Sequence, residues 1–212
     1  VSLRQIGYTV TPLQNEELHL ANLRQFDAVV VGVRAFNTNN YLKFAQAALM
    51  DYVKSGGTVV VQYNTSHALV TDNLGPYPLK LSRDRVTVEG AEVRLLKAEH
   101  PVLNQPNKIT AADFEGWVQE RGLYFPDSWD QQYEAILSSN DPGETPKDGG
   151  LLVARYGKGH FVYTGYSFFR QLPAGVPGAY RLFTNLISLG KQQAEPETKA
   201  ASNAGKPRKR KR

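Results

Sequence analysis

Four polar residues stand where two apolar runs stop: Arg34 and Asn37 after residues 27–33, and Asn64 and Thr65 after residues 58–63. If both runs are parallel strands, a guanidinium, two carboxamides and a hydroxyl share one crevice. Open α/β sheets bind their ligands in such crevices, at the carboxyl ends of the strands. The competing role for Arg34 is an ion pair with a carboxylate such as Glu120 that fixes the loop, because a desolvated guanidinium needs a partner. None of the four is a ready nucleophile. An amide is inert, and the hydroxyls of Thr65 and Ser66 have no positioned base: His67 is merely adjacent, and no Gly-x-Ser-x-Gly turn presents Ser66. The 212 residues include no cysteine, which removes thiolate catalysis, thiolate metal sites and disulfides together.

A second set, Asp113, Glu115, Trp117, Glu120, Arg121 and Tyr124, mixes acids with aromatics. Carbohydrate sites use this composition, stacking rings on sugar faces and bonding hydroxyls with charged groups. It also describes an irregular loop anchored in a core by its Trp and Tyr. As a hydrolase, the chain would use two of these carboxylates as acid and base, which requires a pair converging in one pocket. His19, His67, His100 and His160 are the only histidines. None has the local spacing that puts two ligands on one helix face, so no metal or other cofactor is expected. Gly157-Lys-Gly159 lacks the upstream Gly and the following Ser or Thr of a phosphate loop and reads as a hairpin turn.

The elements that must position these groups follow from periodicity. Residues 3–8 read as a last helical turn closed by Gly7, residues 9–13 as a short strand, and Asn15 as the cap of a helix reaching Leu23. Residues 27–33 form a strand buried on both faces. In 41–54, Leu42, Ala45, Leu49 and Val53 recur at helical spacing, Gly56-Gly57 ends that helix, and 58–63 is the next buried strand. Residues 85–89 and 92–96 alternate like antiparallel strands, 111–117 reads as a helical turn, 151–156 and 160–165 as a hairpin, and 178–189 as a final helix. Prolines at 76, 78, 101, 106, 126, 142 and 146 mark 66–150 as an insertion-rich region. The architecture expected is a doubly wound, flavodoxin-like, mostly parallel α/β sheet with helices on both faces. It occupies residues 1–190, with a disordered basic tail at 191–212.

Charge separates fold from tail. The formal net charge is +5, and residues 206–212 alone carry six positive charges, so the rest of the chain sums to −1. A nearly neutral domain lacks the basic footprint of nucleic-acid binding. No apolar run approaches a membrane span, and the start has no signal-peptide plan. Because the sequence opens inside an apparent helix end, truncation and a missing first strand are expected.

The strand, Tyr156-Gly-Lys-Gly159, strand to Gly165, helix pattern resembles the ThuA-like branch of the class I glutamine amidotransferase-like superfamily. Val33-Arg-Ala-Phe-Asn37, residues 75–88, residues 113–126, Asn140-Asp-Pro-Gly-Glu144 and residues 172–181 more specifically resemble the C-terminal amidotransferase-like domain of large bacterial PIG-L (LmbE-type) deacetylases. The likeness spans residues 1–190. Amidotransferases carry their reactive cysteine at the end of the second strand of this unit, where this chain reads Gln62-Tyr63-Asn64-Thr65. In the PIG-L family a separate zinc domain with a His-Pro-Asp-Asp type motif hydrolyses N-acetyl groups of sugars; here the nearest string is His100-Pro-Val-Leu103, without the carboxylates. The resemblance therefore implies a non-catalytic accessory domain of an exported bacterial protein, partnered by the deacetylase domain of the same parent chain. A sugar or other polar ligand would lie at the strand carboxyl ends, with Arg34, Asn37, Asn64, Thr65, His100, Glu120 and Arg121 as candidate binding residues. A structural or oligomerising module is a further expectation, to be marked by an exposed apolar patch.

Overall fold

Gly7 stops the first helix of the chain as expected. In the computed structural model, which describes residues 2–190, α1 (Ser2–Gln5) ends where Gly7 adopts φ 95°, with the Gly7 and Tyr8 N–H groups returning to the Arg4 and Leu3 carbonyls. The basic run at 206–212 and the proposed tail lie outside the described residues. Two expectations in this stretch fail. Residues 9–13 form no strand and do not add to any sheet edge. The helix expected from Asn15 is two pieces, a 3₁₀ turn Asn15–Glu17 and α2 (Leu20–Leu23). Between them His19 sits in extended backbone (φ −129°) and uses Nδ1 to accept the Asn22 N–H at 3.4 Å, so it caps a new helix rather than continuing the old turn.

The apolar runs then build one side of the main sheet: β1 (Ala28–Val31), α3 (Ala35–Thr38), α4 (Leu42–Lys54) and β2 (Thr58–Val61). β2 is buried throughout, but β1 is not buried on both faces as expected, because it is the edge strand and leaves Val30 exposed. After them come β3 (Leu79–Val86), β4 (Val93–Leu95), α5 (Pro101–Asn104), a 3₁₀ turn Ala111–Phe114, β5 (Gly122–Trp129), β6 (Tyr133–Ala135) and β7 (Leu137–Ser139). The chain closes with β8 (Leu151–Tyr156), β9 (Gly159–Thr164), α6 (Phe168–Gln171) and α7 (Pro177–Ser188).

The main sheet has the order β1-β2-β9-β8-β6. It is mixed: β1, β2 and β9 run parallel, while β9, β8 and β6 pair antiparallel. Side-chain alternation sorts it into two cores. Val59, Val61, Leu152, Ala154, Phe161 and Tyr163 face the stripe Leu42, Ala45, Leu49 and Val53 of α4. Val60, Leu151, Val153 and Val162 face Leu182, Phe183 and Leu186 of α7. Helices thus cover both faces of an α/β sheet. Each of those fully buried α7 side chains contributes about 1.5–3 kcal/mol by leaving water, so packing rather than propensity fixes this helix.

The middle region is more ordered than its prolines suggest. β3 and β5 form an antiparallel ribbon, β4 pairs with β7, and a bridge from Gly122 to Tyr166 lays the start of β5 beside the loop leaving β9. The ribbon brings an insertion to the carboxyl ends of the parallel strands. Gly178 is required where the 3₁₀ turn meets α7, since a Cβ there would lie 1.9 Å from the Asp113 carbonyl oxygen.

Candidate functional site

Arg34 follows β1 with left-handed backbone, φ 55° and ψ 19°. Its N–H donates to the Tyr63 carbonyl at 2.8 Å, and its own carbonyl accepts from the N–H groups of Asn37 and Thr38 and from Thr38 Oγ1. The backbone is therefore locked while the side chain is exposed. The expected pairing of Arg34 with Glu120 does not form, because Glu120 Oε1 accepts from Arg170 Nε at 2.8 Å instead.

Asn37, Asn64 and Thr65 form the wall of the crevice, and their polar groups serve the backbone. Asn37 Nδ2 donates to the Thr65 and His67 carbonyls (3.2 and 2.9 Å), and its Oδ1 accepts the Thr65 N–H at 2.9 Å. Asn64, fully buried, accepts the Phe36 N–H on Oδ1 and donates Nδ2 to the Gln62 carbonyl, both at 2.9 Å. Its N–H reaches the buried Tyr163 hydroxyl, whose ionisation burial pushes far up. Thr65 Oγ1 donates to the His67 carbonyl at 3.0 Å. The end of β2 is thus occupied by residues that tie the two strand-end loops together.

The residues those loops present outward are aromatic. Phe169 lies 5.1 Å from Tyr63, Tyr63 is parallel to Tyr124 at 6.2 Å with 8° between planes, and Tyr124 meets His67 edge-on at 6.4 Å. The three larger rings are half-buried and His67 is exposed. Arg170 lies 4.9 Å over Phe169 while bonded to Glu120. Burial raises the Tyr63 hydroxyl pKa, opposed by the positive charges of Arg34 and Arg170 and reinforced by Glu120. These charges and rings form one ledge contributed by the ends of β1, β2 and β9 and by β5.

Backbone strain gathers at the same place. Asp84 pairs with Phe125 and Arg85 with Leu123, which leaves Tyr124 as the extra residue of a bulge at φ 53°. Bulges re-aim side chains, and a bulky residue rarely occupies the left-handed position that such a bulge gives to glycine. Among the described residues the non-glycine positions at positive φ are Arg34, Ala68, Gln119 and Tyr124. Two belong to the ledge, and the others adjoin His67 and Glu120.

The other candidates lie elsewhere or serve structure. Arg121 is buried, with Nε donating to the Ala91 carbonyl at 2.9 Å, Nη1 to the Phe114 carbonyl, and the guanidinium 5.8 Å from the Trp117 ring. Asp113 accepts Arg181 Nε at 2.7 Å and the Thr110 N–H at 2.8 Å. The buried carboxylates Asp113 and Glu120 are thereby held by different arginines, and Glu115 is exposed. Beside them a shallow depression of about 520 Å³ is bordered by Glu89, Glu92 and Glu115, with Trp117 and Arg121 in its wall. His100 belongs to the opposite end of the sheet: it caps α5 through Nδ1 (Val102 N–H, 3.1 Å) and interacts with His160, whose strand partner is Thr58 at the start of β2. No group of three His, Asp or Glu residues among those described could hold a metal ion, and no described helix is long and apolar enough to cross a membrane.

Sequence reasoning passed over Tyr63, Phe169 and Arg170. A signal existed, because Phe168-Phe169-Arg170 follows the end of the third parallel strand with three residues between, and Tyr63 stands inside the strand-end string.

No protein-family model matches the sequence, and no curated protein matches it. Solved structures do. The chain is 17% identical to the cytoplasmic protein STM3548 of Salmonella typhimurium, with TM-score 0.58 over 88% of this chain and 83% of that one. A second Salmonella typhimurium LT2 cytoplasmic protein, STM1381, is 16% identical with TM-score 0.57, covering 89% and 84%. A putative GMP synthase component from Thermoplasma acidophilum is 11% identical with TM-score 0.54, covering 90% and 85%. At such identities what is shared is the α/β fold and nothing finer.

Proposed function

We propose that this chain is a non-catalytic, amidotransferase-like accessory domain that binds a carbohydrate at the carboxyl ends of its parallel strands. Its partner is the deacetylase domain of a PIG-L type parent protein, the reading motivated by the sequence resemblance. One observation carries the binding role: strained non-glycine backbone at Arg34 and Tyr124 delivers two side chains to the same row of half-exposed rings. Such strain, about 1–3 kcal/mol per residue, persists where surrounding structure enforces it and clusters at functional sites. The non-catalytic role rests on Asn64 and Thr65, which stand at the nucleophile position and are engaged by backbone groups.

The test is a thermal-shift screen of the full chain against N-acetylated sugars, free amino sugars, neutral and acidic glycosides, and glutamine. Ligands that prefer the native state raise its melting temperature. The expected result is a saturable shift from a sugar that vanishes in Tyr63→Ala and Phe169→Ala and persists in His100→Gln. Glutamine hydrolysis lost on changing Thr65 or Ser66 would contradict the non-catalytic reading.

A further inference from the structure

The ledge carries an unbalanced charge. The Arg34 N–H is bonded to the Tyr63 carbonyl at 2.8 Å, Arg170 lies 4.9 Å over Phe169 beside Tyr63, and the charges of Arg34, Arg170 and Glu120 all bear on the Tyr63 hydroxyl. Arg170 and Glu120 neutralise each other through the 2.8 Å bond between them, and the Glu120 side chain is only 11% exposed. Among the described residues Arg34 has no ion-pair partner; it is exposed, with its backbone fixed by bonds to Tyr63, Asn37 and Thr38. An arginine at positive φ where glycine would be unstrained puts a charge at that point, since a loop needing only the turn would be better served without a side chain.

We propose that the ligand of this ledge is an acidic pyranose, its ring laid on Tyr63, Tyr124 and Phe169 and its carboxylate held by the Arg34 guanidinium. The inference rests on the carbohydrate reading above and narrows it. Aromatic faces take the C–H face of a sugar without regard to charge. The guanidinium supplies the distinction, because its fork matches a carboxylate in a bidentate, charge-assisted pair that a neutral hydroxymethyl group does not form. Glu120 and Arg170 flank the rings as a closed pair, so that among the described charged residues bearing on Tyr63 it is Arg34 that has no counter-charge.

Isothermal titration calorimetry of the full chain with methyl β-glucuronide, methyl β-glucoside and acetate separates the parts of this claim. The glucuronide binds about tenfold or more tighter than the glucoside, the discrimination of one charge-assisted pair, and acetate shows no comparable affinity. Arg34→Gln brings the two glycosides to equal affinity, and Phe169→Ala weakens both together. Equal affinity for glucuronide and glucoside in the native chain overturns the acidic-sugar assignment and leaves the carbohydrate reading standing. Acetate binding as tightly as glucuronide overturns it by removing the rings from recognition. No binding of any probe overturns the acidic-sugar assignment, and the carbohydrate reading falls with it only if the N-acetylated and free amino sugars of the thermal-shift screen are silent too.

Discussion

The strand-end ledge and the knot of residues around Arg121 draw on the same residue types and use them in opposite ways. In the knot, Arg121 donates to two carbonyls under Trp117, and Gln171 bonds the N–H and carbonyl of Val118 as well as Ser167. Asn185 likewise bonds Asn107 and the Val102 carbonyl, and all three side chains are buried. Their backbones are unstrained and their bonding groups are occupied by the chain itself. In the ledge, the backbone is strained at Arg34 and Tyr124, the rings are half-exposed, and the Arg34 charge faces solvent. Arginine beside aromatics and acids is therefore no mark of a site. What separates the scaffold from the proposed site is that the scaffold's polar groups are satisfied within the fold, while the ledge keeps strained backbone and an exposed charge.

Arg121→Ala has the largest expected effect. It leaves the Ala91 and Phe114 carbonyls unmet in the interior and opens space beside Trp117, with an expected loss of about 3 kcal/mol. Urea denaturation measures it, and a loss below about 1 kcal/mol would mean that the knot is no scaffold. Asn64→Ala comes next. Asn64 borders the ledge, yet its bonds place it with the scaffold, so the variant loses about 2 kcal/mol by orphaning the Phe36 N–H and the Gln62 carbonyl. In whatever fraction still folds, ligand affinity is retained.

Arg34→Gly sharpens the comparison from the other side. Relief of the left-handed position returns about 1–2 kcal/mol, and the extra chain entropy of glycine costs about 0.5–1 kcal/mol, so a gain of about 0.5 kcal/mol is expected. A variant that melts higher and binds more weakly is the signature of a strained functional residue. One that melts lower would place Arg34 in the scaffold.

The smallest effect lies away from both regions. Burial lowers the pKa of His100 and of His160 below 6.5; at His100 the Lys97 charge adds to the fall and Glu134 opposes it, while Arg155 adds at His160. A histidine with a lowered folded pKa binds protons more readily when unfolded, so its neutral burial is fully compatible with folding above the unfolded value. Stability falls as pH drops through 6.5 toward the folded values. Melting temperatures measured between pH 7.5 and 5 should decline, and the decline should flatten in His160→Gln.

Much of the fold was legible because periodicity survives burial. The stripe of α4, the valine runs of β1 and β2 and the final hairpin and helix all follow from apolar spacing alone. β5 was not legible, because Pro126 and the Tyr124 bulge interrupt its alternation. Nor were the short pieces at residues 9–23, where a side-chain cap on His19 overrides a helical pattern. The strand-end crevice could be placed from β1 and β2, but its ring-lined face could not. Asn37, Asn64 and Thr65 are polar and correctly located, and only the hydrogen bonds they make turn them into wall. Tyr63 and Phe169 read as ordinary core aromatics until the fold sets them in one row.

The proposed ligand meets this molecule on the row of rings and not in the depression beside Trp117. Amide chemical-shift mapping of the full chain during titration with methyl β-glucuronide and with N-acetylglucosamine tests it directly. Saturable shifts centred on Arg34, Tyr63, His67, Tyr124 and Phe169 are expected. Shifts centred on Glu89, Glu92, Glu115 and Trp117 instead would contradict it.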